Sequence, residues 1–325
     1  MRKIIIDTDG GGDDAAAVLL ALAEPTVAVL GITTVFGNVS MVQATQNVLE
    51  TVRIAGAHVP VIPGAATPLV RSPLRFGSVY GADGMGDCGL IPPAPLPDAA
   101  SAAEFICRCA RQCPDALEIV SLAPTTNLAL ALRTDPEAMR RVKHIWSMGT
   151  AGFGPGNATP VAEFNVFLDA EAYDALLRSG IPLTVAGFDL CLGAAALTDD
   201  DLARLRTTRR GRFVADATGQ LRRFNEARTG TPYVDLPDAV AMAAALDPTL
   251  IRSQTDCDCY CCLHEPPAYG QVILHETGKW YEGLGRIDGR NAAVIRAVDP
   301  DRFKRRLMHA LTDEPILSPK KEAVL

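Results

Sequence analysis

The sequence has no apolar run approaching the roughly 18 residues that a membrane span requires. It has no leader pattern either: Met1-Arg2-Lys3 runs directly into Ile4-Ile5-Ile6 and a set of carboxylates. A cytoplasmic protein with no membrane partner is therefore the expectation. Basic charge is also scarce, with 31 Lys and Arg against 38 Asp and Glu and a net charge of −7. Nucleic acid is not expected as a partner, because its phosphates need a basic stripe and none is visible. The short run Arg140, Arg141 and Lys143 leads into a strand and reads as a solvated loop edge, as does Lys320-Lys321. The nine cysteines lack the two-residue spacer between paired ligands that marks a zinc site. Seven of them fall in two groups: Cys107, Cys109 and Cys113, then Cys257, Cys259, Cys261 and Cys262. On a strand, Cys257, Cys259 and Cys261 would share one face. Both groups read as free thiols packing as small hydrophobes. No internal repeat and no linker is evident.

What the chain does have is 325 residues, 48% of them hydrophobic, enough for a sizeable core in a single domain over residues 1–325. Apolar runs at 3–7, 27–35, 59–62, 117–122, 142–148 and 182–188 read as strands. Helical patterns at 14–23, 40–56, 100–112, 126–133 and 170–179 lie between them. That alternation predicts an α/β fold with a mostly parallel, doubly wound (Rossmann-like) sheet and helices on both faces. Ligands of such sheets bind beyond the carboxyl ends of the strands, where Asp7, Asp9 and the segment Ser121 to Asn127 are expected. Residues 64–97, rich in Gly and Pro, read as a long loop near the mouth of the site. Residues 198–230 read as polar, basic helices with exposed faces, 254–298 as short strands including 260–263 and 271–275, and 300–311 as a closing helix.

The most informative segment is Asp7-Thr8-Asp9-Gly10-Gly11-Gly12-Asp13-Asp14, where a strand turns into a helix. A helix N-terminus attracts one or two carboxylates, but four repel one another unless a cation joins them. A hard cation with a preference for oxygen ligands would relieve the crowding. Gly10 to Ala15 formally fits the dinucleotide pattern G-x-G-x-x-A, yet a pyrophosphate there would face Asp9, Asp13 and Asp14. A haloacid-dehalogenase-type phosphatase is an alternative on Asp7 and Asp9 with Mg²⁺, but its motif continues with a hydroxyl where Gly11 stands. An EF-hand loop needs an oxygen side chain at the same place. Metal-assisted hydrolysis, with one Asp activating water and its neighbours holding metal and a polyol, uses every charge.

At a distance from that segment lie Gly37-Asn38-Val39-Ser40, Ala123-Pro124-Thr125-Thr126-Asn127, Ala162-Glu163-Phe164-Asn165 and Asp238-Ala239-Val240-Ala241. Together with the opening segment they resemble, in order, five motifs of the inosine-uridine-preferring nucleoside hydrolase family. The resemblance spans nearly the whole chain and implies the nucleoside hydrolase fold. It also implies Ca²⁺-dependent hydrolysis of the N-glycosidic bond of ribonucleosides, with Asp9, Asp14, Asp238 and the Thr126 carbonyl as metal ligands. Asp9 would double as general base. Asp13 would take the ribose hydroxyls, Asn38, Asn157, Glu163 and Asn165 the remaining sugar contacts, and Met148 would lie against the ribose. Asp7 would orient the loop backbone from behind, and Asp189 would be structural. A homodimer or homotetramer is implied as well.

Three positions depart from the family pattern. Gly10 replaces a proline, which should leave the loop freer. Pro237 stands where the family often has a histidine that protonates the departing base, and it has no donor. Tyr80 stands where an earlier loop histidine is common, and His58, His144, His264, His275 and His309 all lie outside the motifs. Tyr80 and Tyr233 are the leading candidates to cover the base, ahead of Asn225, Glu226 and Arg228. A nucleoside- or ribose-binding protein without turnover remains the alternative from a different class.

Overall fold

Residues 1–72, 79–98 and 101–312 are described by a computed structural model of the chain; the Lys320-Lys321 tail and part of the 64–97 loop lie outside the described residues. The strands in chain order are β1 (Arg2–Thr8), β2 (Val27–Thr34), β3 (Val61–Pro63), β4 (Leu117–Ser121), β5 (His144–Met148) and β6 (Leu183–Ala186). They are followed by β7 (Ile251–Cys261), β8 (Val272–Glu276), a small hairpin of β9 (Trp280–Tyr281) with β10 (Gly285–Arg286), and β11 (Ala292–Val298). Nine of them form one sheet in the order β3-β2-β1-β4-β5-β6-β11-β7-β8. Every pairing from β3 to β11 is parallel; β7 and β8 add an antiparallel edge.

The helices that cover the sheet are α1 (Gly12–Leu22), α2 (Met41–Ala55), α3 (Ala102–Gln112), α4 (Thr126–Thr134), α5 (Pro136–Met139) and α6 (Phe164–Leu168). After them come α7 (Ala170–Leu177), α8 (Asp199–Leu205), α9 (Arg209–Ala217), α10 (Gly219–Thr229), α11 (Pro237–Leu246) and α12 (Pro300–Thr312). The sheet divides the core into two apolar clusters. One holds α1, α11 and α12, and the other holds α3, α4 and α7. From β1 the chain moves outward through β2 and β3, then returns to place β4 on the other side of β1. The crevice at that switch point opens beyond the ends of β1 and β4. The opening carboxylates and the Ser121–Asn127 segment both lie there.

Several boundaries differ from the sequence expectation for local reasons. The strand expected over 182–188 ends at Ala186, and Phe188–Cys191 forms a short 3-10 helix. Gly187 makes that turn where its chain presses on Gly152; a Cβ on Gly187 would stand 2.4 Å from Gly152 Cα. The short strands expected between 254 and 298 include one of 11 residues, β7. Its Arg252, Ser253 and Gln254 are exposed, which breaks the apolar run that would have marked its length. Cys257 and Cys259 are buried on this strand, Cys261 and Cys262 are half-buried, and all nine thiols are free.

Gly10 does not loosen its loop. It adopts φ +70°, a conformation closed to proline and strained for any residue with a Cβ. An added Cβ would lie 2.7 Å from Ala44 Cα, and the Gly10 carbonyl accepts a 2.8 Å hydrogen bond from Asn47 Nδ2 on α2. The loop is pinned to α2 from both sides. Gly10→Ala is expected to cost on the order of 1–3 kcal/mol. Urea denaturation checks this, and an unchanged midpoint would show that the loop shifts freely.

Candidate active site

α1 is apolar on every side, Ala15-Ala16-Ala17-Val18-Leu19-Leu20-Ala21, and is buried throughout. α11 is its counterpart, with Ala239, Ala241, Ala243, Ala244 and Ala245. Small side chains let the two helices pack closely, and their first turns carry Asp13, Asp14 and Asp238. Carboxylate oxygens of these three residues lie within 4.8 Å of one another, and all three side chains are buried. Asp9, fully buried at the end of the β1 segment, joins them.

Each carboxylate has a distinct set of partners. Asp9 accepts from the Asn38 backbone N–H at 2.7 Å and from Asn38 Nδ2 at 3.0 Å. Gly37 is required for that approach, because a Cβ there would overlap Asp9 Oδ2 at 1.8 Å. Asp14 caps its own helix, accepting from the Gly11 N–H at 2.8 Å and from the Thr8 hydroxyl. Asp13 accepts from the Tyr80 hydroxyl and lies beside Asp238, while its Oδ1 is buried without a partner. Burial pushes Asp13 up to about 6, with the Asp9 charge adding to the shift. Burial likewise raises Asp9, Asp14 and Asp238, and the neighbouring carboxylates push Asp14 and Asp238 further.

This cluster forms the floor of a cavity open to solvent. Asp13, Asn38, Tyr80, Met148, Asn157, Glu163, Asn165 and Asp238 all line it. Asp9 and Asp14 are buried below, and Thr126 is buried at the start of α4 with its hydroxyl donating to Asp169 at 2.6 Å. Asn165 Nδ2 donates to the Leu122 carbonyl at 3.0 Å and lies 3.4 Å from Met148 Sδ, which fixes the methionine against the cavity. Asn157 Oδ1 accepts from the Phe164 N–H at 2.8 Å. Glu163 caps α6, accepting from the Asn165 and Val166 N–H groups at 3.0 and 3.1 Å. Burial nevertheless pushes its carboxyl up to about 8.

Other residues take positions that the sequence does not suggest. Asp7 does not hold the loop backbone; its Oδ1 accepts from Thr33 at 2.6 Å and from Asn127 at 2.8 Å, tying β1 to β2 and α4. Thr8 and Asp14 hold the loop instead. Tyr80 is no loop-edge aromatic: it is buried, with its hydroxyl bonded to Asp13. Tyr233 is half-buried and does not line the cavity, although its hydroxyl meets Arg228 Nη2 at 3.4 Å. The polar α10 does more than face solvent: Leu221 and Phe224 turn into the cavity, beside Asn225 and Arg228, the expected base neighbours, whereas Glu226 does not line it. Phe188 and Asp235 join them there. Asp235 had a legible signal, a charge between Val234 and Leu236, like that of Glu163 in its apolar segment. None of the five histidines lines the cavity, and Pro237 does.

A profile described as inosine-uridine preferring nucleoside hydrolase matches residues 4–305. The chain belongs to that family. Members are metal-dependent hydrolases acting on N-glycosyl bonds, and this one is an enzyme of that class. It is 39% identical over 253 residues to Uridine nucleosidase 1 of Arabidopsis thaliana, covering 77% of this chain and 75% of that one. A pyrimidine-specific ribonucleoside hydrolase, RihA of a Shewanella species, is 35% identical over 318 residues and covers 95% and 96% of the two chains. The solved plant nucleoside hydrolase PpNRh1 superposes with a TM-score of 0.88 at 28% identity, over 96% of this chain and 99% of that one. Among nucleoside hydrolases, then, the fold is shared across nearly its full length. No helix among the described residues is long and apolar enough to cross a membrane.

The raised carboxyl of Glu163 has a measurable consequence. Its folded pKa lies above the ordinary 4.5, so the native state holds the proton longer than the unfolded chain. Stability from this group is therefore present below pH 4.5 and lost as pH rises toward 8. Glu163→Gln should change stability little at pH 5 and gain on the order of a few kcal/mol relative to wild type at pH 8.5. Denaturant titrations at the two pH values check it; an identical difference at both would contradict the assignment.

Proposed function

We propose that the chain is a Ca²⁺-dependent N-ribohydrolase that splits pyrimidine ribonucleosides, uridine foremost, into free base and ribose. The observation that carries this reading is the convergence of Asp13, Asp14 and Asp238, with Asp9 beside them, at the floor of an open cavity lined by Asn38, Asn157, Glu163 and Asn165. The uridine preference rests on the names of the relatives from Arabidopsis and Shewanella.

The donor set fits a hard cation. All its members are oxygens, and the buried carboxylates of Asp14 and Asp238 bring oxygens within 4.8 Å of one another and of Asp13, whose unpartnered Oδ1 is left for the sugar. Asp9, Asp14, Asp238 and the Thr126 carbonyl would hold the ion, which supplies positive charge to water and to the sugar hydroxyls. Asp9 is the base. Held by Asn38, it takes a proton as a water oxygen bonds to C1′. The C1′–N bond breaks as that bond forms, its electron pair leaves on the base nitrogen, and the transition state has oxocarbenium character. Asp13, fixed by Tyr80, accepts from the ribose 2′- and 3′-hydroxyls. Glu163, Asn157, Asn165 and Asn38 position the remaining hydroxyls, and Met148 presents an apolar wall to the ring.

Ribose release from uridine should vanish in EDTA and return with added Ca²⁺. Asp9→Asn should lower kcat by about 10³-fold while the fold is retained. A reducing-sugar assay checks both. Full activity in chelator, or no release from any ribonucleoside in Ca²⁺, would contradict the reading; tight nucleoside binding without release would favour a binding protein instead.

A further inference from the structure

Asp235 is buried, 4% exposed, yet it lies between apolar neighbours and faces the cavity. Among the described residues its one side-chain donor is Asn225, whose Nδ2 also donates to the Tyr233 carbonyl at 3.3 Å. A carboxylate has about four acceptor sites, and Asp235 uses few of them: Asn225 and its own backbone N–H donate to it, while the nearby Arg228 charge favours its ionised form. Asp235 has room for another donor. Its backbone is rigid, because adjacent Val234 exchanges hydrogen bonds of 2.8 and 3.0 Å with Leu197. Asn225 is itself buried on α10.

One turn further along α10, Arg228 lines the same cavity and forms no ion pair among the described residues. Its guanidinium lies 5.5 Å from the centre of the Phe224 ring. Phe188, Leu221 and Phe224 give this end of the cavity flat apolar walls, suited to a planar heterocycle. Asp235, an acceptor, lines the cavity with them, as do the donors Asn225, already spent on Asp235, and Arg228, whose Nη2 donates to the Tyr233 hydroxyl at 3.4 Å.

We propose that Asp235 and Arg228 read the lactam edge of the base: Asp235 accepts its ring N–H and Arg228 donates to the adjacent carbonyl. Asn225 is the positioning residue that holds Asp235. This assignment rests on the ribohydrolase reading, since ribose anchored at the carboxylate floor fixes the register of the base above it. In that register uracil presents N3–H to Asp235 and a carbonyl to Arg228. Cytosine presents an unprotonated N3 to the carboxylate, so two acceptors meet and Asp235 loses its donor. Neither residue offers the histidine chemistry missing at Pro237; their task is choice of base.

Wild-type enzyme in Ca²⁺, assayed on uridine, 3-methyluridine and cytidine, tests this without relying on any variant. kcat/KM should fall at least about tenfold when N3–H is replaced by N-methyl or by the bare nitrogen of cytosine. Asp235→Asn and Arg228→Gln should each bring uridine and cytidine to within about threefold of one another. Equal rates on uridine and 3-methyluridine, or a variant that loses equally on uridine and cytidine, would overturn the assignment. If no nucleoside is hydrolysed, the ribohydrolase reading fails separately. Calorimetric affinities for uridine and 3-methyluridine then decide the edge reading, with equal Kd values overturning it.

Discussion

The contact between α1 and α11 is the constraint on which the site depends. Both helices are rich in alanine and buried, and their close packing brings two helix N-termini to one point. The carboxylates of Asp13, Asp14 and Asp238 have no freedom to move apart, because the apolar faces behind them fix where the first turns lie. Burial of a helix such as α1 is worth far more than the electrostatic strain at its tip, since each fully buried Leu or Val contributes about 1.5–3 kcal/mol. The strain therefore persists as carboxyl groups with raised pKa rather than as a displaced helix. The helix dipoles relieve part of it, and a cation would relieve the rest.

The surrounding elements serve the same point. The switch between β1 and β4 opens the crevice, and Gly37 and Gly10 allow loop backbones to close on Asp9 and α2. Asn38, Tyr80 and the Gly11 N–H each hold a different carboxylate in place. Glu163 caps α6 and faces the cavity at once, so one side chain ties local helix geometry to the sugar-facing wall. The result is a rigid polar floor beneath a wall of different character, made by α10, Phe188 and Asp235.

The floor was legible in the sequence because its residues sit in short runs whose chemistry is unusual. Four aspartates around three glycines at a strand end have few ordinary explanations, and the parallel sheet followed from alternating apolar and helical segments. The wall was less legible. Asn225 and Arg228 are expected near the base, but Leu221 and Phe224 are not, because within a basic, polar segment the helix face they share with them is indistinguishable from a solvated one. Tyr80, expected near the base, lines the cavity and bonds Asp13 through its hydroxyl, a direction that sequence proximity alone does not show. Comparison of Gly10 with a proline misses its positive φ and its contact with Ala44, which are properties of the folded loop alone. Asp7 was drawn inward by Thr33 and Asn127, partners 26 and 120 residues away.

Thermal unfolding with and without Ca²⁺ tests most directly whether the buried carboxylates await a cation. At pH 7.5, millimolar Ca²⁺ added to chelator-treated protein should raise Tm by about 5 °C or more. Asp238→Asn should start from a higher metal-free Tm than wild type, since it removes a buried like charge, and should lose most of the Ca²⁺ response. A wild-type Tm indifferent to Ca²⁺, or an equal rise in the variant, would contradict the account.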